Sequence, residues 1–338
     1  MNNALTLSLA RPAAGRLALL DELKGFAILL VVLYHAGGVL GWENRLHGQV
    51  GVDIFVLLSG VGLTLSSADL DMAGFLKRRL FRIYPTYWVV LTALILASGH
   101  WLGRKYTGTD VILHYTGIHA FFGDRYALSI SDPLWFITLI LLCYVLYLCV
   151  RRWLQRSDIV LCLGLGIGFV LAYVYFKASQ PVTFSHFAMR VPLFFLGLVW
   201  GTAVRTGSVE VRFTPWLGLG ILSLTYIPYL QGIVFANVLI APGLMALYAL
   251  LWRPAMIGPL SHINAVFAFL GRHSFEIFLL HQPLIRDYNL LVLTRWLGRV
   301  PDNSEITRGM AAAFLITLAL SWILRRLYLL LFPSRSHP

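Results

Sequence analysis

Long apolar runs follow one another almost from end to end of the chain, separated by short polar or basic stretches. A helix needs about 18 to 22 residues to cross a membrane, and the runs are of that order. A soluble domain would instead need polar loops and amphipathic stripes. The pattern therefore predicts an all-α polytopic membrane protein, a bundle of about ten transmembrane helices. The predicted spans are residues 23–42, 50–67, 80–98, 133–150, 158–176, 190–205, 215–230, 232–251, 272–293 and 309–331.

Breaker residues lie at several predicted span ends, as expected for helix boundaries or local bends. They are Gly41, Pro133, Pro192, Pro215, Pro228 and Pro333. The N-terminal stretch is too weakly apolar before Arg11 and Pro12 to be the core of a secretory signal. We therefore expect one membrane domain over residues 1–338, with a cytoplasmic N-terminal segment (1–19), the transmembrane bundle (20–332) and a cytoplasmic tail (333–338).

The composition agrees with a membrane protein, since 58% of the 338 residues are hydrophobic and only 12% are charged. These values exclude soluble enzymes and DNA-binding domains. The formal net charge of +12 would suggest a nucleic-acid partner in a soluble protein. In a polytopic protein it usually reflects basic residues that hold cytoplasmic loops in place. We therefore expect the lipid bilayer as a partner and no nucleic acid. The three cysteines lie inside apolar runs and predict neither a disulfide nor a metal site.

The distribution of basic residues predicts the topology. If both termini are cytoplasmic, 17 of the 27 lysines and arginines lie on the cytoplasmic side and ten on the other side. The positive-inside rule therefore favours an even number of spans with both termini inside. The longest connection, about residues 99–132, then faces the exterior. It contains His114 and His119, to which we assign no function because no metal-like set of partners accompanies them.

The first predicted span places two ionisable residues on one face. Lys24 opens the span and His35 lies deep within it, and eleven residues at about 100° each bring both side chains to nearly the same direction, about 16 Å apart. An ionisable group at that depth is costly unless it faces a cavity or a partner. His35 is therefore either a functional residue or a histidine satisfied by a neighbouring helix, and this segment alone leaves both interpretations open.

The start of the second span adds an acidic residue at a similar depth. Asp53 could orient and charge-stabilise the His35 imidazole, or it could stabilise the dipole of its own helix. Ser59, in a Ser-Gly pair, is more typical of helix packing than of a nucleophile. His281, roughly 12 Å into the ninth span, is expected near the same depth, as a second polar group of the reaction centre or as an interhelical hydrogen bond.

A basic cluster follows the second span and contains Lys77, Arg78, Arg79 and Arg82. Such a cluster anchors topology or attracts anionic lipid head groups. It also suits a phosphate-rich ligand, because guanidinium groups bind phosphates bidentately. The cluster alone does not separate these two interpretations.

Together these segments resemble the acyltransferase family 3 membrane proteins, which O-acylate bacterial glycans and related exported molecules. Four stretches are similar to the family's motifs. They are Leu20-Asp21-Glu22-Leu23-Lys24-Gly25 through His35, Gly51 to Phe55 with Ser59-Gly60, Arg78-Arg79-Leu80-Phe81-Arg82-Ile83-Tyr84-Pro85, and Leu270-Gly271 with Ser274 to Pro283. The resemblance spans almost the whole chain.

Two departures from the family pattern limit what is carried over. After Leu134-Trp135-Phe136 many members have a Glu five residues beyond the Trp, where this sequence has Ile140. We assign no role to that position. Many members also carry a C-terminal esterase-like extracytoplasmic domain, which we do not expect in this protein. A second transfer step would then either need a separate extracytoplasmic transferase as partner or not exist.

The resemblance implies an O-acyltransferase of the bacterial inner membrane that uses acyl-CoA, with acetyl-CoA first among the candidates, as donor substrate and holds no permanently bound cofactor. It implies that Arg78, Arg79 and Arg82 hold the donor phosphates on the cytoplasmic side. The acceptor, a glycan or a lipid-linked saccharide, approaches from the other side. The catalytic candidates are His35, as general base or acyl carrier, with Lys24 and Asp53. Further candidates for the site are Asp21, Ser59, Trp135 and His281.

Three other functions are compatible with part of the pattern. A transporter or flippase would also have a buried His and a basic mouth, but it predicts inverted repeats, which the sequence does not reveal. A non-catalytic scaffold would not need a His in mid-membrane on the same face as a Lys at the helix start. Membrane-bound O-acyltransferases of a different fold share the chemistry, but the opening and Arg-rich motifs match family 3 better.

Overall fold

The computed structural model of the chain describes residues 18–41, 48–67, 70–177, 182–206, 216–219, 221, 236–253 and 261–333. Within these ranges every regular element is a helix. The main helices are α1 (Ala18–Val39), α2 (Gln49–Ser67), α3 (Met72–Leu102), α4 (Gly108–Thr116), α5 (Asp124–Ala127), α6 (Trp135–Val150), α7 (Ser157–Lys177), α8 (Val182–Thr206), α9 (Ala236–Leu247), α10 (Ser261–Arg272), α11 (Ser274–Gln282), α12 (Asn289–Leu297) and α13 (Asn303–Leu331). Two π-helical segments, Tyr248–Trp252 and Pro283–Tyr288, continue α9 and α11.

The prediction of an all-α polytopic membrane protein is confirmed. The predicted count of ten spans is not confirmed, because six described helices are long and apolar enough to cross a membrane, or up to seven if a bent pair counts as one. That pair consists of α10 and the continuous stretch Ser274–Leu297, which meet at an angle of 74°. Most of the predicted span 215–230 falls outside the described residues.

Several predicted boundaries differ from the observed ones. Helix α3 has 31 residues and begins well before the predicted residue 80, because Asp71 caps its N-terminus by accepting a hydrogen bond from the Gly74 N–H. Pro192 lies inside α8 instead of ending a helix, as membrane helices tolerate when neighbouring helices surround the break. Helix α13 begins at Asn303 because Asp302 and Glu305 form a capping box there.

Glycines bring two pairs of helices into backbone contact. A Cβ atom on Gly25 of α1 would overlap the carbonyl oxygen of Phe267, and one on Gly271 of α10 would overlap that of Asp21. Gly60 and Gly197 allow the same close approach between α2 and α8. Small residues favour such packing in membranes, where no hydrophobic force draws helices together. The glycines of the first and last sequence motifs therefore join α1 to α10.

The bundle has two chemically different ends. Helices α1 and α2 run antiparallel, since Gly48 packs against Tyr34 and Gly51 against Ala27. The end at which α1 begins also holds the α2–α3 connection, and there the Arg151 guanidinium donates to the Leu70 carbonyl oxygen at 2.9 Å. We call this the basic end, and the opposite end, with the connection between α3 and α6, the far end.

The connection at the far end, expected as a simple exterior loop, is a helical hairpin that folds back along α3. Ser98 and Tyr106 share a hydrogen bond of 2.7 Å near its start. Further along, Tyr84 of α3 donates to the carbonyl oxygen of Thr116 at 2.6 Å. The hairpin thus follows α3 over 14 residues, about 21 Å.

Side-chain hydrogen bonds hold the hairpin in place. The Thr107 hydroxyl and N–H donate to the Asp110 carboxylate at 2.6 and 2.9 Å, which caps α4 and holds the pKa of that carboxyl below its usual value. At the turn, the Thr138 hydroxyl of α6 donates to the Gly117 carbonyl oxygen at 2.7 Å. As a result His114 and His119 are fully buried, with their rings stacked 4.0 Å apart. The sequence analysis, which treated both as residues of a connecting loop, did not anticipate this burial.

Candidate active site

The structure brings the two histidines of the first and last motifs together. His35 of α1 and His281 of α11 have ring centroids 5.1 Å apart, with the ring planes tilted by 53°. His35 is half-buried, and His281 has no exposed surface. The prediction that His281 reaches the depth of His35 agrees with this geometry. The arrangement follows from the glycine contacts that join α1 to α10, because α11 begins directly after α10.

The main chain of α11 fixes the orientation of the His281 ring. Its Nδ1 lies 2.8 Å from the carbonyl oxygen of Phe278 and 3.2 Å from that of Ile277. A carbonyl oxygen only accepts, so Nδ1 carries the hydrogen and donates it. The lone pair of the neutral ring is then on Nε2, which is buried and has no hydrogen-bond partner among the described residues. His281 therefore presents a fixed acceptor inside the bundle.

His35 also packs against a neighbour on its own helix. The ring of Tyr34 lies edge-on to that of His35, with centroids 5.3 Å apart. The Tyr34 hydroxyl in turn accepts a hydrogen bond of 3.2 Å from the side-chain amide of Gln49, at the start of α2. These contacts limit how the ring of His35 can move relative to His281.

Asp53 has a different partner from the one considered in the sequence analysis. Its Oδ1 lies 2.9 Å from Nε of Arg190 on α8, and the two side chains are 0% and 1% exposed. A buried carboxylate requires a cation or hydrogen-bond donors, and the close α2–α8 packing supplies that cation. The structure therefore pairs Asp53 with Arg190 and not with His35.

Trp135 and His186 complete the surroundings of Arg190. The guanidinium carbon lies 5.2 Å from the centroid of the Trp135 ring, which stacks on His186 at 4.6 Å. Arg190 Nη1 lies 3.2 Å from His186 Nδ1 and donates to the His186 carbonyl oxygen at 3.1 Å. A guanidinium has no acceptor atom, so Nδ1 is the acceptor in that contact. Trp135, a candidate from the sequence, thus forms one wall of the Asp53–Arg190 site.

A layer of aromatic rings connects the Asp53–Arg190 site to His281. Phe136 follows Trp135 and packs against Phe278 with ring centroids 4.7 Å apart. Phe278 is also 5.7 Å from the ring of His281. Packed aromatic rings hold their neighbours in defined positions, so this layer couples the position of the ion pair to that of His281.

The remaining candidates on α1 and α2 lie away from this centre. Ser59 donates its hydroxyl to the Phe55 carbonyl oxygen of the previous turn at 2.8 Å, which agrees with a packing role. Lys24 and Asp21 form an ion pair of 3.6 Å near the start of α1. Lys24 therefore lies at the basic end, about 16 Å along the helix from His35.

The basic cluster does not present a single face. Arg79 is buried and its Nη2 donates to the Ser66 hydroxyl at 2.5 Å, whereas Arg82 and Lys77 are exposed. Arg78 is half-buried and donates to the Ser66 carbonyl oxygen at 3.3 Å. Successive helical residues turn by about 100°, so adjacent arginines cannot point the same way. The outward positions are those of Lys77 and Arg82, with Arg78 partly accessible.

The sequence analysis assigned no role to Arg190, although a usable signal was present. Arg190 is an ionisable residue in an apolar run, which is the same signal that identified His35. Two buried acids were also missed. Glu22 pairs with Arg253 at 2.6 Å, and Glu276 lies 3.7 Å from Arg325. These pairs tie α1 and α11 to later helices at the basic end.

Comparison with known proteins identifies the family. The family model described as an acyltransferase domain matches residues 17–326. A proposed acetyltransferase, ORF330, of Acidianus two-tailed virus is 25% identical over 308 residues, which are 87% of each protein.

Two further relatives match over shorter stretches. BcsY of Komagataeibacter xylinus, a proposed membrane-bound transacylase, is 35% identical over 98 residues, 28% of this chain and 24% of BcsY. YrhL of Bacillus subtilis strain 168, a proposed peptidoglycan O-acetyltransferase, is 33% identical over 84 residues, 23% of this chain and 13% of YrhL. No solved structure matches the chain significantly. Because the domain model covers almost the whole helical bundle that holds His35 and His281, the chain belongs to the acyltransferase family defined by that domain and is a membrane acyltransferase.

Proposed function

We propose that this protein moves an acyl group, with acetyl as the first candidate, from acyl-CoA at the basic end to a hydroxyl group of a glycan that approaches from the far end. The observation that carries the proposal is the His35–His281 pair, which places two imidazoles in contact inside the helical bundle. Ionisable groups are costly at that depth and are typical of functional sites.

The chemistry requires one proton carrier at the point of transfer. His35, the more accessible of the two histidines, accepts the proton of the acceptor hydroxyl group. At the same time the hydroxyl oxygen attacks the carbonyl carbon of the thioester. The new C–O bond forms as the C–S bond breaks. The leaving CoA thiolate takes the proton from the imidazolium, so His35 returns to its neutral state. His281, held by the main chain of α11, positions the ring of His35 and supplies an acceptor beside it.

The charge of the basic end supports an anionic donor there. Lys77 and Arg82 are exposed at the start of α3, and Arg78 is partly accessible. Guanidinium groups bind phosphates bidentately, so these side chains suit the phosphates of CoA. Lys24 lies at the same end, on the helix face that leads to His35. The proposal places this end in the cytoplasm, where acyl-CoA is made, and the protein in the bacterial inner membrane with both termini inside.

One relative supports a polysaccharide-type acceptor, and a second supports acyl transfer at a membrane. YrhL is named as a proposed peptidoglycan O-acetyltransferase, and BcsY is named as a proposed membrane-bound transacylase. The shared chemistry is acyl transfer, and the first of these names specifies a glycan. We extend the same acceptor class, a glycan or a lipid-linked saccharide, to this chain.

The test is acyl transfer by membranes that contain the protein. Vesicles with wild-type protein should move label from radioactive acetyl-CoA into a saccharide fraction. His35→Gln and His35→Ala should lower this rate about 10² to 10⁴-fold, the usual effect of removing a general base. His100→Gln, at an exposed position on α3, serves as the matched control and should leave the rate unchanged. Wild-type transfer by both His35 variants, at equal protein amounts, would remove His35 from the mechanism.

A further inference from the structure

A group of charged and polar side chains lies at the far end, next to His35. It consists of Arg104, Asp132, Gln282, Arg286 and Asp287, and we call it the far-end cluster. Asp287 lies 3.3 Å from Arg104 and 3.9 Å from Arg286. Gln282 follows His281, whose ring centroid lies 5.1 Å from that of His35, and Asp132 follows Ser131, whose hydroxyl lies 3.4 Å from the side-chain oxygen of Gln282. The cluster is therefore continuous with the proposed reaction centre.

Two separate parts of the chain build the cluster. The first is the π-helical segment Pro283–Tyr288, which continues α11 directly beyond His281. Such π-helical turns are frequent at functional sites, because they reorient side chains within a helix. The second is the α3–α6 hairpin. The segment of the hairpin that leads into α6 is held by two hydrogen bonds of 3.4 Å, one from Arg104 to the Ile130 carbonyl oxygen and one from Ser131 to Gln282. The fold thus brings both parts to one place.

The side chains of the cluster retain hydrogen-bonding capacity. Arg104 and Arg286 are 41% and 56% exposed, and their contacts with Asp287 are long for ion pairs. Ion pairs of this kind contribute little to stability. The structure gives Asp132 no hydrogen bond and no ion pair within the described part of the chain. Two buried polar atoms lie beside the cluster, the Nε2 of the fully buried His281 and the hydroxyl of Tyr288. Neither has a hydrogen-bond partner among the described residues.

The charges of the cluster balance. Two arginines face two aspartates, in contrast to the excess of arginine and lysine at the start of α3. Carboxylates accept hydrogen bonds from hydroxyl groups, and guanidinium groups donate to hydroxyl oxygens. A sugar ring offers both kinds of partner on neighbouring carbons. An anionic ligand would instead meet the two carboxylates, which would disfavour its binding.

We propose that the far-end cluster is a binding site for an uncharged saccharide, and that it holds the acceptor with one hydroxyl group at His35. The direction of transfer rests on the proposed function, whereas the binding itself does not. Asp132 and Asp287 accept hydrogen bonds from the sugar hydroxyl groups, and Arg286 donates hydrogen bonds to the sugar oxygens. Gln282 forms the side of the site next to His281.

The test is a binding measurement that needs no acyl transfer. Purified protein in lipid nanodiscs is mixed with maltotriose or with trigalacturonic acid, an uncharged and an anionic trisaccharide, and contact is read by saturation-transfer difference NMR. Maltotriose should bind the wild type and trigalacturonic acid should bind much more weakly. Asp132→Asn and Arg286→Gln should each weaken maltotriose binding about tenfold, the expected effect of losing a charge-assisted hydrogen bond.

Two matched variants change the same residue types outside the cluster. Asp158→Asn at the start of α7 and Arg308→Gln on α13 both alter exposed residues, and both should bind maltotriose like the wild type. Absence of maltotriose binding to the wild type, stronger binding of trigalacturonic acid, or equal binding by all variants would each overturn the saccharide site. Because donor and transfer do not enter this measurement, a failure here leaves the His35 experiment to decide the proposed function separately.

Discussion

The imidazole of His281 lies 5.1 Å from that of His35, and its Nδ1 hydrogen is committed to the main chain of Phe278. The free Nε2 of His281 is thus the atom available to a neighbouring group. If this atom positions His35, its loss should affect the rate of transfer more than the binding of either substrate.

Replacing His281 therefore provides a first prediction. His281→Ala and His281→Phe should lower kcat about 10- to 100-fold, part of what a positioned acid–base group contributes, with little change in the KM for acetyl-CoA. The measurement is steady-state transfer by purified protein, normalised to the folded fraction. A fall in thermal stability that fully accounts for the lost activity would instead assign His281 a purely structural role.

The depth of His35 could be predicted from the sequence, because periodicity and composition locate an ionisable residue within a helix. Its partners could not be predicted in the same way. His281 and Arg190 lie far from α1 and α2 in sequence, and their contacts depend on which helices pack together. The glycines that decide this packing are visible in the sequence. Only the fold reveals that Gly25 of α1 packs against the main chain of α10 and that Gly271 of α10 packs against the main chain of α1.

The bend before α11 and the folded-back hairpin show a second limit. Hydropathy located the stretch Ser274–Leu297 as the predicted span 272–293, but it indicated neither α10 before that stretch nor the 74° bend between the two. The hairpin was predicted as an exterior connection because it lies between two predicted spans and the positive-inside rule placed it outside. In the fold, Tyr106 and Tyr115 share hydrogen bonds with Ser98 and Thr92 of α3, contacts that the sequence pattern alone does not reveal.

The buried Asp53–Arg190 pair leads to a prediction on stability. Asp53→Asn or Arg190→Gln alone should lower stability by about 3 to 5 kcal/mol, because each leaves an uncompensated buried group. The double variant Asp53→Leu with Arg190→Met should recover most of that loss. Thermal unfolding in detergent, followed by fluorescence, measures the effect. If Asp53→Asn instead lowers kcat with an unchanged Tm, Asp53 acts on His35 and not as the partner of Arg190.

The division of the basic cluster predicts different effects for its members. Arg82→Ala should raise the KM for acetyl-CoA about 3- to 10-fold with an unchanged Tm, since Arg82 is exposed and its phosphate contact is screened by solvent. Arg79→Ala should mainly lower Tm, because Arg79 is buried against Ser66. Arg156→Ala, exposed at the same end, is the control for donor binding. An unchanged KM in Arg82→Ala and Arg78→Ala would leave the cluster as a topology anchor.

The α1–α10 contact predicts a strong effect of single methyl groups. Gly25→Ala and Gly271→Ala should each destabilise the protein by about 1 to 3 kcal/mol or more, because the new Cβ would overlap main-chain carbonyl oxygens. Gly62→Ala and Gly166→Ala add the same methyl group where no atom lies within 4 Å, and they should leave Tm unchanged or slightly higher. Equal Tm values for all four variants would contradict the close contact.

The two ends of the bundle should lie on opposite sides of the membrane. The excess of basic residues at the basic end predicts that this end is cytoplasmic. In a background with Cys149 and Cys162 replaced by serine, Lys77→Cys should resist a membrane-impermeant thiol reagent applied to intact cells, and Arg308→Cys should react with it. Both positions are exposed, so burial cannot explain a difference, and the buried Cys143 provides the unreactive background. Reaction of Lys77→Cys from outside would reverse the orientation and remove the cytoplasmic donor site, since acyl-CoA would then face the wrong end of the bundle.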